Sequence, residues 1–273
     1  MRLGLEAGHE TLDLAVELGI GGVPIGAAAL VEQGVEVVLA PLRERGLQVC
    51  QIGAMGFNPV SDDAAGQQHQ AAVLRQAIAL AGDTGCPYIA IGPGNHHPSG
   101  FLHYDERNFN DAALASMAEG LKPMVALAER HHVRLTVEPY LKGVINSPER
   151  FKALHALVGS DALRANVDPS SLYDFWDAVA PAAMVDRVCT GLADHLGLVH
   201  LKEIGIDQGL HIHMGLMPIG QGRTDWAQLL GAVEPHLPAD SWVILEHVLA
   251  AEEARASVAL IRDAAAKAGV MLD

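Results

Sequence analysis

The sequence predicts an α/β protein built as one closed (β/α)8 barrel, a TIM barrel, with residues 1–273 forming a single domain. Three observations predict it. Short apolar stretches of strand length alternate with longer amphipathic stretches from end to end. Eight such strand-then-helix units of roughly equal length fit the chain. No linker or low-complexity segment divides it, and no GxGxxG follows the first strand, which weighs against a doubly wound open sheet.

In order, the first strand is expected over 3–6 with a helix over 10–18, and the second strand over 22–25. A helix over 35–45 ends at Gly46, where a helix stop is expected, and leads into a third strand over 48–52. A long helix over 64–82 precedes the fourth strand, 88–91, whose loop over 92–100 is rich in turn residues. A helix over 111–131 leads into the fifth strand, 134–138. Ser147 and Pro148 suit an N-cap and first helical turn, and that helix reaches about Val158. The sixth strand, 164–168, is followed by a helical region over 178–195, and the seventh strand covers 198–202. A long loop holding Gly220-Gln221-Gly222 then precedes a helix over 226–236, an eighth strand over 242–246 and a closing helix over 251–267.

Bulk composition excludes several function classes. A formal net charge of −15 argues against a protein that coats nucleic acid or an anionic membrane, where a basic face is expected. Cys50, Cys86 and Cys189 lie far apart with no CxxC pair, so neither a disulfide framework nor a cysteine zinc site is indicated. The chain shows no signal-peptide pattern and no uninterrupted apolar run of transmembrane length, so a cytoplasmic location is the expectation.

Four strands end in residues of a metal-binding type: Glu138, Asp168, His200 and Glu246. In a parallel barrel the C-terminal ends of all strands open onto one face, where sites form. The spacings of 30 and 32 residues are each about one strand-helix unit, and the 46 residues after His200 are one unit plus an insert. Three carboxylates at close range repel, and a divalent cation relieves that repulsion. Oxygen-rich ligands with one imidazole suit Mn²⁺ first, then Mg²⁺ or Co²⁺, with Zn²⁺ admissible.

These residues sit in motifs with a resemblance. Leu135-Thr136-Val137-Glu138-Pro139, Asn166-Val167-Asp168, Val199-His200-Leu201-Lys202-Glu203, Gly220-Gln221-Gly222-Arg223-Thr224-Asp225-Trp226 and Ile244-Leu245-Glu246 together resemble the xylose-isomerase-like barrel superfamily. That group holds sugar isomerases and epimerases and also endonuclease IV. The resemblance implies Glu138, Asp168, His200 and Glu246 as metal ligands and Glu138 and Glu246 as an acid–base pair. It further implies a small-molecule sugar or sugar derivative as the binding partner, and a homo-oligomer.

A metal on a sugar's hydroxyl and carbonyl oxygens acidifies the C–H between them and stabilises the enediolate. One carboxylate takes the proton; a second, on the other side of the substrate, can return a proton to the opposite face, or a proton returns at the neighbouring carbon. That is epimerisation or aldose–ketose isomerisation. Departures from the epimerase pattern keep alternatives open. Ser171 stands where those enzymes carry a His, and 204–210 lacks their Arg. A metal-dependent lyase or dehydratase acting on a keto-sugar, inosose or 3-keto-glycoside is the second reading, and a non-catalytic sugar-binding barrel is the third. The endonuclease branch needs extra histidines where this chain has Gly92 and Ser171, so a nucleic-acid partner is not expected.

Further residues have weaker claims on substrate. They are Lys202 beside His200, His211 and His213 in the insert, His96 on the loop after the fourth strand, Arg223, and Glu6 at the first strand end. Trp176 offers a flat face to a sugar, whereas Trp226 starts a helix and is expected to pack.

Overall fold

A computed structural model describes residues 1–8, 11–207, 209–248 and 250–273. In chain order the elements begin β1 (Arg2–Leu5), α1 (Thr11–Glu17), β2 (Gly22–Gly26), α2 (Ala27–Gln33), α3 (Val35–Arg43), β3 (Gln48–Gly53), α4 (Ala64–Thr84) and β4 (Tyr88–Ile91). They continue α5 (Asp111–Arg130), β5 (Arg134–Val137), α6 (Pro148–Val158), β6 (Leu163–Val167), α7 (Phe175–Val179), α8 (Pro181–Val188) and β7 (Leu196–Leu201). The chain finishes with β8 (Glu203–Ile206), β9 (Met214–Met217), α9 (Trp226–Val233), β10 (Trp242–Leu245) and α10 (Ala251–Ala268).

Eight parallel strands close in the order β1-β10-β7-β6-β5-β4-β3-β2, which is the expected barrel. Closure runs through β1 and β10, paired from Arg2↔Trp242 to Leu5↔Leu245. Strands covered on both faces read as continuous apolar runs. β7 (LGLVHL) and β10 (WVIL) are buried at every position. Close packing leaves no room for a side chain on Gly22, where a Cβ would stand 2.5 Å from the Trp242 ring. Among the described residues no helix is long and apolar enough to cross a membrane.

The expected start of the first helix, at Glu10, lies outside the described residues. The structure departs from expectation in three places. A second helix, α2, precedes α3, and Gly34 at φ +83° forms the joint between them. The helical region expected over 178–195 is broken into α7, α8 and a 3-10 turn over Thr190–His195. Pro181 causes the first break, because it lacks the N–H that a continuing helix needs and suits a first turn instead. The insert after β7 is not a plain loop. β8 and β9 pair antiparallel as a hairpin above the barrel, from Glu203↔Met217 to Ile206↔Met214.

The hairpin is tied down by Glu203, which is 1% exposed. Its carboxylate accepts hydrogen bonds from Thr224 Oγ1 at 2.6 Å, Trp226 Nε1 at 3.1 Å, and the backbone N–H groups of Gly220 at 3.3 Å and Thr224 at 3.4 Å. A Cβ at Gly222 would run into the same carboxylate and the Ile204 carbonyl. The Gly220–Trp226 motif is therefore an anchor for the hairpin. Trp226 is buried as expected, whereas Trp176 is 72% exposed.

Candidate active site

Strand register sets the depth of each functional side chain. Val167 pairs with Val199, which places Asp168 level with His200 one residue on. Leu245 pairs with Leu201, which places Glu246 level with Lys202. Glu138 and Glu246 lie just past their strands, yet their backbones stay in the ladder, donating to Ile91 O at 3.1 Å and Leu201 O at 3.3 Å. Residues two apart on a strand share a face. His200 therefore brings Lys202 into the barrel with it, and Asp168 brings Asn166.

The four predicted strand-end residues converge. Ligating atoms of Glu138, Asp168 and His200 all lie within 4.8 Å of one another, and all three residues are buried. Ligands about 2.1 Å from a common ion stand at most about 4.2 Å apart, so this set needs little closing to hold a divalent cation. Glu246 meets the same cluster through its neighbours: its Oε1 is 3.1 Å from His200 Nε2 and its Oε2 is 3.0 Å from Lys202 Nζ. The other imidazole nitrogen, Nδ1, is 3.3 Å from Glu138 Oε2. His200 thus stands between two glutamates, one at each ring nitrogen.

Lys202 lies at the centre of the acids. Its Nζ is 2.7 Å from Asp168 Oδ2, 3.0 Å from Glu246 and 3.3 Å from Glu138 Oε1. Burial disfavours its charge, but the three carboxylates outweigh burial and hold the ammonium far above its ordinary range. For His200, burial lowers the pKa. The charges of Glu246 and Glu138 and their hydrogen bonds more than reverse this, to about 10. Burial pushes both glutamates up, yet Lys202 and His200 bring each down to about 2. Three carboxylates therefore face two cations, and a divalent ion would replace the proton that His200 gives up on ligation.

Several contributors were not singled out in the sequence. Gln51 Oε1 lies 2.7 Å from His200 Nε2. Asn166 Nδ2 lies 3.0 Å from the same nitrogen, and Asn166 Oδ1 is buried with no hydrogen-bond partner among the described residues, an unused acceptor beside the donor set. Ser171 Oγ lies 3.0 Å from both Glu138 Oε1 and Asp168 Oδ2 and bridges the two acids. Asp168 also accepts from the backbone N–H and hydroxyl of Ser170, at 3.0 and 2.7 Å. His247, directly after Glu246, lines the cavity and holds φ +57°, a left-handed conformation that costs a non-glycine residue free energy. Only the period-two rule could have flagged Asn166 from the sequence. Gln51 and His247 carried no signal there.

A cavity of about 820 Å³ opens above this cluster and is lined by Glu138, His200, Lys202, Glu246, Tyr140 and Glu6, among others. Burial, then the charge of Glu246, raises the Glu6 carboxyl above its ordinary value. The remaining predicted substrate contacts lie elsewhere. His211, His213 and Arg223 are exposed, and His213 Nδ1 pairs with Asp207 at 2.5 Å. His96 is half-buried in the loop after β4, outside the cavity wall, and its Nδ1 has no hydrogen-bond partner among the described residues.

The similarities to known proteins agree with this geometry. The profile of the xylose isomerase-like TIM barrel family matches residues 12–264. A xylose isomerase-like TIM barrel protein from Mycobacterium smegmatis, solved in complex with magnesium, is 19% identical with a TM-score of 0.71, covering 93% of this chain and 88% of that one. The probable 3-DHS dehydratase from Bacillus anthracis is 16% identical with a TM-score of 0.72, covering 96% and 98%. A 3-keto-D-glucoside 4-epimerase from E. coli is 17% identical with a TM-score of 0.72, covering 96% and 99%. At these identities the structural likeness speaks for the fold. No curated protein sequence matches the chain. The convergent strand ends, the closed barrel and the profile match over nearly the whole length lead to one conclusion: the chain belongs to the xylose isomerase-like TIM barrel family.

Proposed function

We propose that this protein is a divalent-metal-dependent sugar isomerase or epimerase in which Glu138 and Glu246 act as the acid–base pair. The observation that carries the reading is their placement. Two buried carboxylates stand on opposite sides of His200, at 3.3 and 3.1 Å, on the floor of one cavity. Glu138, Asp168 and His200, with Glu246 beside them, would hold the cation, which supplies Lewis acidity toward the oxygens flanking the scissile C–H.

The chain's own residues do the rest. Both glutamates are held ionised, so each can accept a proton from carbon. The one that takes the proton leaves an enediolate. It can return that proton to the adjacent carbon, which is isomerisation; for epimerisation the other must first take up a proton from solvent, which it then delivers to the opposite face. Lys202, which lines the cavity, would donate a hydrogen bond to a substrate oxygen as charge develops there once a cation takes over the acids. Ser171 and Ser170 hold Glu138 and Asp168 in place.

A second reading has its own support. The Lys202 ammonium and the size of the cavity also suit a lyase or dehydratase, where the enolised keto-sugar or keto-glycoside expels an oxygen β to the carbonyl. The dehydratase and the keto-glucoside epimerase among the similar structures support both branches. NMR of a sugar panel in D2O with Mn²⁺ separates them. Deuterated sugar of changed configuration supports the isomerase or epimerase, and loss of water or aglycone supports the lyase. A panel with no deuterium uptake and no elimination leaves only a non-catalytic sugar-binding barrel, and the enzyme reading fails.

A further inference from the structure

We infer that the substrate carries an apolar group, aryl or alkyl, beside its polar ring, and that the wall formed by β2, α3 and the loop after β4 receives it. This rests on the enolisation reading for the polar end. The barrel order divides the cavity into two arcs. β5, β6, β7 and β10 are contiguous and bring in the acids, His200 and Lys202. β2, β3 and β4 lie across from them. Every lining residue from β2, α3 and the loop after β4 is apolar or glycine, including Val23, Ile25, Leu42 and Leu102. Met55 after β3 continues this wall, Gln51 of β3 turns instead to His200, and Leu216 of the β8–β9 hairpin also lines the cavity.

A free sugar presents hydroxyl groups on all sides. Against this wall its hydroxyls would lose water without gaining a partner, which is unfavourable. An apolar substituent loses nothing there and gains burial. The size agrees: about 820 Å³ is in the range that encloses a drug-sized ligand and exceeds what one sugar ring fills. Leu102 and Leu216, each 57% exposed, both line the cavity, and an apolar ligand there would cover them. The chemical class is thus a keto-glycoside, or a comparable keto-sugar conjugate, with an apolar aglycone.

The test is calorimetric binding of phenyl and methyl 3-keto-β-D-glucoside to the full chain with Mn²⁺ present. The phenyl compound is expected to bind at least tenfold more tightly. The double variant Leu102→Ser/Leu216→Ser, altered at two exposed positions outside the acid cluster, is expected to bring the two affinities together by weakening the phenyl compound alone. Equal affinities in the parent, an unchanged ratio in the variant, or no binding of either compound overturns the inference. Deuterium uptake by the sugar panel is scored separately, so the enolisation reading can stand while this inference falls.

Discussion

Replacing Lys202 by Met removes one positive charge from the middle of the acid cluster and keeps most of the stem. The parent cluster sets Glu138, Asp168 and Glu246 against Lys202 and a protonated His200. The variant leaves three buried carboxylates with His200 alone. Breaking a buried ion pair by removing one partner costs about 3–5 kcal/mol. At about 2–4 °C per kcal/mol for a domain of this size, the metal-free variant should melt about 6–20 °C below the parent. A divalent cation supplies the lost charge and more, so saturating Mn²⁺ should close most of that gap. The variant should also bind Mn²⁺ more tightly than the parent, because no ammonium competes for Asp168. Differential scanning calorimetry with EDTA and with Mn²⁺, joined to titration calorimetry of the ion, gives both numbers. A variant that melts with the parent in EDTA would show that the ammonium does not hold these acids together. One that loses Mn²⁺ affinity would show that Lys202 supports the ion site rather than competing for it.

Glu246→Gln removes a buried carboxylate paired with His200 and Lys202, so it should lower the metal-free melting temperature, and it should lower solvent deuterium uptake on a confirmed substrate by about 10²–10⁴-fold; unchanged turnover, measured by NMR, would remove Glu246 from the acid–base pair. The metal-free protein should be most stable between the ordinary carboxylate and imidazole ranges. Glu138 and Glu246, lowered from 4.5 to about 2, contribute stability that is present above pH 4.5 and lost as pH falls through about 2. His200, raised from 6.5 to about 10, contributes stability that is present below pH 6.5 and lost as pH rises through about 10. Melting curves across pH in EDTA test this, and a metal-free protein that grows more stable from neutral to alkaline pH would contradict it. Glu203→Ala strands the Trp226 indole N–H and the Thr224 hydroxyl, each costing about 1–3 kcal/mol. Limited proteolysis should then cut within the β8–β9 hairpin while Mn²⁺ affinity holds; a protease-resistant hairpin would mean that Glu203 is not its anchor.

Much of the barrel was legible in the sequence, because buried parallel strands are apolar runs whose length and spacing are local properties. The convergence of Glu138, Asp168 and His200 was legible too, since a parallel barrel delivers all strand ends to one mouth whatever the loops do. Helix breaks and the hairpin were less so. Pro181 was visible, but β8 and β9 are held by Glu203, a residue buried only because the chain folds back over it. His96, His211 and His213 were expected near substrate from their place in the sequence alone, which for loop residues says little about direction.

What the sequence alone determined is the set of eight barrel strands, their order in the chain and the residue type at each strand end. Only the tertiary structure decided that Lys202 lies among three acids, that Gln51 reaches across to His200, and that β2, α3 and the loop after β4 line the cavity with apolar residues and glycine. Those relations depend on register and closure. They join residues as far apart in the chain as Gln51 and His200, and no local pattern records which side chains two distant strands will turn toward each other.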